Sequence, residues 1–164
     1  MNLKDKIKGL EELQEVVAKL KEEGKVIVLA NGCFDLIHVG HLRYLKGAKA
    51  LGDVLVVGVN SDRSVKQIKD ERRPLMSQDE RAEIVSAFEF VDYVVVFDQP
   101  TVEELLLRLK PHYHTKGTDY TEESVPEREV AASCGTLTRV VGDPKHHSTS
   151  RLTRRIVEKY GASR

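Results

Sequence analysis

Apolar residues fall into two repeating patterns along this chain, and their alternation predicts its elements. Short β-branched runs at 26–30, 54–59 and 93–97 (Val26 to Ala30, Val54 to Val59, Tyr93 to Phe97) read as buried strands. Between them, apolar residues recur every three or four positions, the mark of helices facing a core. Leu3, Ile7, Leu10, Leu13, Val17 and Leu20 predict one leading helix over 1–24, closed by Gly24. Leu42, Leu45, Ala48 and Leu51 predict a second, and Ile84, Val85 and Phe88 a third that starts at the capping box Ser77-Gln78-Asp79-Glu80. Thr101-Val102-Glu103-Glu104 predicts another boxed start, with Pro111 ending that helix.

The second half is less marked. His112 to Thr115 has weak strand propensity but is required as a fourth strand if the alternation is to continue. Glu127 to Ser133 then predicts a short helix, Leu137 to Val141 a fifth strand, Gly142-Asp143-Pro144 a turn, and the segment from Ser148 through Leu152, Ile156 and Val157 a last helix. The polar stretch Ser64 to Met76 reads as a loop carrying Lys66, Lys69, Arg72 and Arg73. Strand and helix in strict alternation imply an α/β, doubly wound, mainly parallel five-stranded sheet in a single domain spanning 1–164. Ligands of such sheets lie beyond the carboxyl ends of the strands, which here read Asn31-Gly32, Asn60-Ser61-Asp62, Asp98, Lys116-Gly117 and Gly142-Asp143.

Charge narrows the partners. Lys plus Arg and Asp plus Glu both number 26, so no overall field favours nucleic acid or an anionic membrane, and any cationic site must be local. No apolar run reaches the length of a membrane span, and the first residues lack a signal-peptide core, which leads to the expectation of a cytoplasmic protein. Cys33 and Cys134 are expected as reduced, small residues. The long apolar stripe from Leu3 to Leu20 leads to the expectation of a homodimer.

Chemistry concentrates where the first strand meets the second helix. In NGCFDLIHVGH, Asn31-Gly32 breaks the strand, and His38 and His41 stand three residues apart on one side of the first helical turn. A helix start offers unpaired N–H groups and positive potential, a place for phosphate, and the imidazoles add directional donors. The alternative is a pair of capping histidines on a core helix. The last helix poses the same choice at Ser148 and Thr149, between phosphate binding and simple capping. The cations after the second strand, Lys69 and Arg72 among them, are placed to reach an anionic ligand. His112, His114, His146 and His147 match no zinc-ligand spacing and read as surface or strand-edge residues; His147 differs in adjoining the serine of the last helix.

NGCFDLIHVGH resembles the T/N-G-x-F-D…H-x-G-H signature of the nucleotidyltransferase superfamily that includes the cytidylyltransferases. Across nearly the whole chain, the stretches LGDVLVVGVNSD, RRPLMSQDERAEIVSAFEFVDYVV, KPHYHTKGTDYT and HSTSRLTRRI are similar to the adenylyltransferase domain of bacterial ADP-heptose synthases and free-standing heptose 1-phosphate adenylyltransferases. Two positions depart from that family: its KGGDY is Lys116-Gly117-Thr118-Asp119-Tyr120, and His147 stands where a small residue is usual. The resemblance implies a Rossmann-like fold and transfer of AMP from ATP to a sugar 1-phosphate, D-glycero-β-D-manno-heptose 1-phosphate, with Mg2+ carried on the triphosphate. It assigns His38, His41 and Lys69 to catalysis. Asn31, Gly32, Cys33, Phe34, Gly40, His41, Lys116, Gly117, Asp119, Ser148, Thr149 and Ser150 are assigned to the nucleotide, and Asp35, Asp62, Lys69, Arg72 and Tyr120 to the sugar phosphate. No protein-held metal is implied, Asp35 serving either to order the loop or to stand beside the Mg2+. Two readings compete: a cytidylyltransferase acting on glycerol 3-phosphate or another small phosphorylated alcohol, and a nucleotide-binding regulatory module without turnover. A class I tRNA synthetase fragment shares the H-x-G-H idea but has no basic surface here to serve it.

Overall fold

A computed structural model describes residues 2–144 and 146–161. Met1 and 162–164, the outermost residues of the expected domain, lie outside that range. Five parallel strands, β1 (Ile27–Gly32), β2 (Val54–Asn60), β3 (Tyr93–Phe97), β4 (Tyr113–Lys116) and β5 (Leu137–Val140), form one sheet in the order β3-β2-β1-β4-β5. The order reverses between β1 and β4, so the crevice beyond their carboxyl ends is the topological switch point.

Helices α1 (Leu3–Lys6), α2 (Leu10–Glu22), α3 (Val39–Lys49), α4 (Asp62–Ile68), α5 (Gln78–Ser86), α6 (Glu103–Leu109), α7 (Arg128–Ser133) and α8 (Thr149–Tyr160) complete the described residues. Alternation along each strand splits the core in two. Ile27 and Leu29 face Leu13, Val17, Leu105 and Leu106 on the side of α2 and α6, whereas Val28 and Ala30 face Leu45, Ala48 and Val85 on the side of α3 and α5. No helix among the described residues is long and apolar enough to cross a membrane.

Three expectations change. The leading helix is two pieces, because Ile7 leaves the helix to bridge Val94 while Lys8 N–H donates to the Val94 carbonyl at 2.9 Å. Of its stripe, Leu13 and Val17 are buried in the core, whereas Leu3 is exposed. The polar stretch after β2 starts as α4, where Ser61 caps the Ser64 N–H and Val65 fills the core. At α6 the N-cap is Val102 without a side-chain cap bond, so the Thr101 box does not form. Val102 is instead fully buried, and its packing sets the helix start. The Ser77 box forms as expected, with Ser77 and Glu80 bonded reciprocally.

Candidate active site

The site begins with a strained turn. After β1 the chain must pass from extended strand to helix within a few residues, and Phe34 and Leu36 take positive φ angles of 51° and 48°. Phe34 is held there by burial against the α3 core, and its ring lies over Gly32, 3.2 Å from where a Cβ would stand. Asp35, 1% exposed, locks the turn from below. Its Oδ2 accepts from Arg73 Nε and from Leu75 N–H, both at 2.9 Å, and its Oδ1 accepts from Met76 N–H at 3.1 Å. With its carboxylate committed to the protein, Asp35 orders loops rather than contacting a sugar phosphate or a magnesium ion.

His38 and His41 sit at the start of α3. His38 Nδ1 accepts from Gly40 N–H at 3.1 Å and His41 Nδ1 accepts from His38 N–H at 3.3 Å, a reciprocal cap in which imidazoles replace the usual hydroxyl and carboxylate. In each neutral ring the proton is therefore on Nε2, the donor turned away from the backbone. The rings stack at 3.9 Å between centroids, 25° apart. A Cβ at Gly40 would stand 2.9 Å from His38 Cε1, so only glycine leaves room for that ring. Capping and a phosphate-facing role are thus compatible: the backbone N–H groups engage each ring through Nδ1, on the side away from Nε2.

A cavity of about 480 Å³ opens over this turn. Of the residues expected at the site, it is lined by Asn31, Gly32, Cys33, Phe34, Asp35, His38, Gly40, His41, Lys69, Lys116, Gly117, Asp119, Tyr120, Ser148, Thr149 and Ser150. Elements more than a hundred residues apart in sequence are so brought together at the switch point. Lys116 lies 3.6 Å from buried Glu127 and 5.5 Å from the centre of the Tyr120 ring. On the opposite wall Ser148 Oγ caps the Arg151 N–H at 3.1 Å, while Thr149 Oγ1 donates to the Asp35 carbonyl at 2.5 Å. The Ser148 hydroxyl therefore acts as an N-cap, leaving the first N–H groups of α8 to face the cavity.

Two expected residues are elsewhere. Arg72 is exposed and pairs with Asp70 at 3.2 Å, away from the cavity; its neighbour Arg73 lines the cavity instead. Asp62 gives its carboxylate to Arg81 at 2.8 Å and is likewise off the cavity. Arg81 was not legible as a site residue. It is fully buried, and its guanidinium donates to the carbonyls of Cys33 (2.5 Å), Asn60 (2.8 Å) and Met76 (3.1 Å), tying together three loops of the site. A charged residue on the buried face of α5, where the period demands an apolar one, was its only signal.

The histidines divide as well. His112 is exposed and its Nδ1 accepts from Ile27 N–H at 2.9 Å. His147 lines the cavity, its ring 6.5 Å from that of His38. His114 is not at the surface but fully buried, and desolvation, aided by Lys116, pushes its pKa down to about 3. Burial pushes the Cys33 thiol up, which suits an inert side chain better than a nucleophile. Among the described residues no cluster of His, Cys, Asp and Glu is arranged to hold a metal ion.

A parallel sheet in this order, with paired imidazoles and a helix start at its switch point, defines a nucleotidyltransferase-type site. Residues 29–155 match the cytidylyltransferase-like family, and the chain belongs to that family of nucleotidyltransferases. It is 46% identical over 155 residues to the bifunctional protein HldE of Pelobacter propionicus, and 45% identical over 156 residues to that of Geobacter sulfurreducens. These alignments take in 94% and 95% of this chain but 32% of each relative, so the chain spans about a third of their length. The crystal structure of the lipopolysaccharide core biosynthesis protein from Thermoplasma volcanium superposes with a TM-score of 0.61 at 28% identity, covering 75% of this chain and 99% of that one. Pantoate-beta-alanine ligase from Francisella tularensis shares the fold alone, with a TM-score of 0.63 at 14% identity over 88% of this chain and 68% of its own.

Proposed function

We propose that this chain transfers AMP from ATP to D-glycero-β-D-manno-heptose 1-phosphate, releasing pyrophosphate and forming an ADP-heptose for lipopolysaccharide or other surface-glycan precursors. The observation that carries the reading is the stacked pair His38 and His41, whose Nδ1 atoms are both taken by backbone N–H groups. Two Nε2–H donors held at a helix start suit charge that builds on phosphoryl oxygens as the reaction proceeds. The heptose and the precursor pathway come from the resemblance and from the lipopolysaccharide core protein that shares the fold.

The acceptor's phosphate oxygen forms a bond to the α-phosphorus while the bond from that phosphorus to the bridging oxygen breaks and pyrophosphate leaves. No covalent enzyme intermediate is needed, so the protein's work is positioning and charge stabilisation. His38 and His41 donate to oxygens of the α- and β-phosphates. Lys69 and Arg73 supply cations from the segment after α4 and Lys116 one from the end of β4, and the start of α8 receives the outer phosphates. The triphosphate would bring Mg2+ with it, which would supply neutralisation of phosphate charge. Asp119 and Tyr120 offer polar contacts for hydroxyl groups of ribose or sugar.

The test is pyrophosphate release from ATP, CTP, GTP and UTP with magnesium, each against heptose 1-phosphate and glycerol 3-phosphate. ATP with the heptose is expected to be fastest. Faster turnover of CTP with glycerol 3-phosphate would replace this reading with the cytidylyltransferase one, and nucleotide binding without any release would replace it with the regulatory module.

A further inference from the structure

Asn31 occupies the last turn of β1 at the switch point, and two neighbouring elements hold it. Its backbone N–H donates to Tyr44 Oη at 3.4 Å, and that hydroxyl donates to the Thr115 carbonyl at 2.7 Å. Its side-chain Oδ1 lies 2.9 Å from His114 Nε2. His114 is central in β4, paired in register with Leu29 of β1 and Thr138 of β5, and fully buried. The other ring nitrogen, Nδ1, has no hydrogen-bond partner.

That asymmetry determines both the tautomer and the amide's orientation. A neutral imidazole carries one N–H, and burial keeps this ring neutral. Nδ1 lacks a partner in either tautomer, but an orphaned buried N–H is tolerated less than a bare ring lone pair, so the proton belongs on Nε2, where an acceptor is in reach. With the proton on Nε2, the ring donates to an amide oxygen, which is able only to accept. The NH2 end of Asn31 is thereby turned from the core toward the cavity, where no described residue receives it.

We infer that His114 is a positioning residue, holding the Asn31 amide so that its NH2 group donates to a phosphate oxygen of the bound nucleotide. The inference rests on the nucleotidyl-transfer reading for the ligand. Without the imidazole, the amide has no reason to prefer one orientation, and its reversed form presents an oxygen to an anion. Phenylalanine at 114 would fill the space without donating; glutamine would donate again.

The test is MgATP affinity by calorimetry in a double-mutant cycle, with unfolding midpoints recorded for every variant. His114→Phe and Asn31→Ala are each expected to weaken MgATP binding about fivefold to tenfold, the size of one hydrogen bond. Combined, they are expected to do no more than either alone, because the imidazole acts only through the amide. His114→Gln is expected to stay within about twofold of the natural chain. Long-range proton–nitrogen NMR correlations are expected to place the proton of His114 on Nε2. A proton on Nδ1 would overturn the inference, as would a His114→Phe effect that is absent or that persists undiminished in the Asn31→Ala background. If His114→Phe does not fold, the glutamine variant and the NMR spectrum decide, with a fivefold loss in the glutamine variant counting against. Failure of the natural chain to bind any nucleoside triphosphate marks a different failure, that of the nucleotidyl-transfer reading itself.

Discussion

The two walls of the cavity are built in opposite ways. The wall made by β1, its turn and α3 is part of the core: Phe34 and Asp35 are buried, Asp35 and Arg81 bind loops from three strands, and Leu45 and Ala48 seat the helix. The wall made by α8 has no buried residue, and Ile156 and Tyr160 are 47% and 74% exposed. One tie to the first wall is the Thr149 hydroxyl on the Asp35 carbonyl. Preorganised donors require a wall that does not move as charge develops, and such a wall needs buried, fully bonded supports. In the function proposed above, the α8 wall only receives the outer phosphates and needs less, and with no buried residue its local opening takes little free energy.

The comparison breaks first at the histidines. His38→Ala or His41→Ala is expected to lower kcat by about 10²–10³-fold with a much smaller change in nucleotide affinity, because the donors act on charge that appears only in the transition state. Steady-state pyrophosphate release, with unfolding midpoints compared, checks this; near-normal turnover in both variants would remove the case for the rigid wall.

Replacing the support beneath them comes next. Arg81→Met removes a buried guanidinium and leaves the carbonyls of Cys33, Asn60 and Met76 and the Asp62 carboxylate short of a partner. A loss of about 3 kcal/mol in urea unfolding is expected. A loss below about 1 kcal/mol would show that those loops are held by other means.

Acid sharpens the contrast less strongly. The folded pKa of His114, about 3, lies below its ordinary value of 6.5, so the unfolded chain binds the extra proton between those values. Stability from this group is therefore complete above pH 6.5 and lost as pH falls toward 3. At pH 5 the loss is on the order of 2 kcal/mol relative to neutral pH. His114→Phe should flatten that part of the unfolding profile, and an unchanged slope would reassign it to other groups.

The smallest effect belongs to α8. Ile156→Ser is expected to change stability by less than about 0.5 kcal/mol, since an exposed side chain gives up little on substitution. A loss above about 1 kcal/mol in the same unfolding assay would mean that this wall is packed in solution, and the two walls would no longer differ in kind.

What the sequence determined by itself was everything carried by local period and local caps. The first three strands, the polar strand ends, the His38–His41 pair, the Ser77 box and the serine at the start of the last helix all follow from spacings of a few residues, which set the face of a strand or the first turn of a helix, whereas the fourth strand followed only from the alternation of elements. The interruption of the leading helix at Ile7 escaped that logic, because a bridge to Val94 outweighed the helical period. Tertiary structure alone decided which of two adjacent arginines reaches the cavity: Arg73 pairs with Asp35 across 38 positions, while Arg72 turns to its near neighbour Asp70. It likewise buried Arg81 beneath Cys33, 48 positions away, took Asp62 out of the site, and set His114 against Asn31 across 83. These pairings depend on the strand order, which places β4 beside β1 although β2, β3 and their helices lie between them in the chain, and periodicity within a segment carries no record of that return.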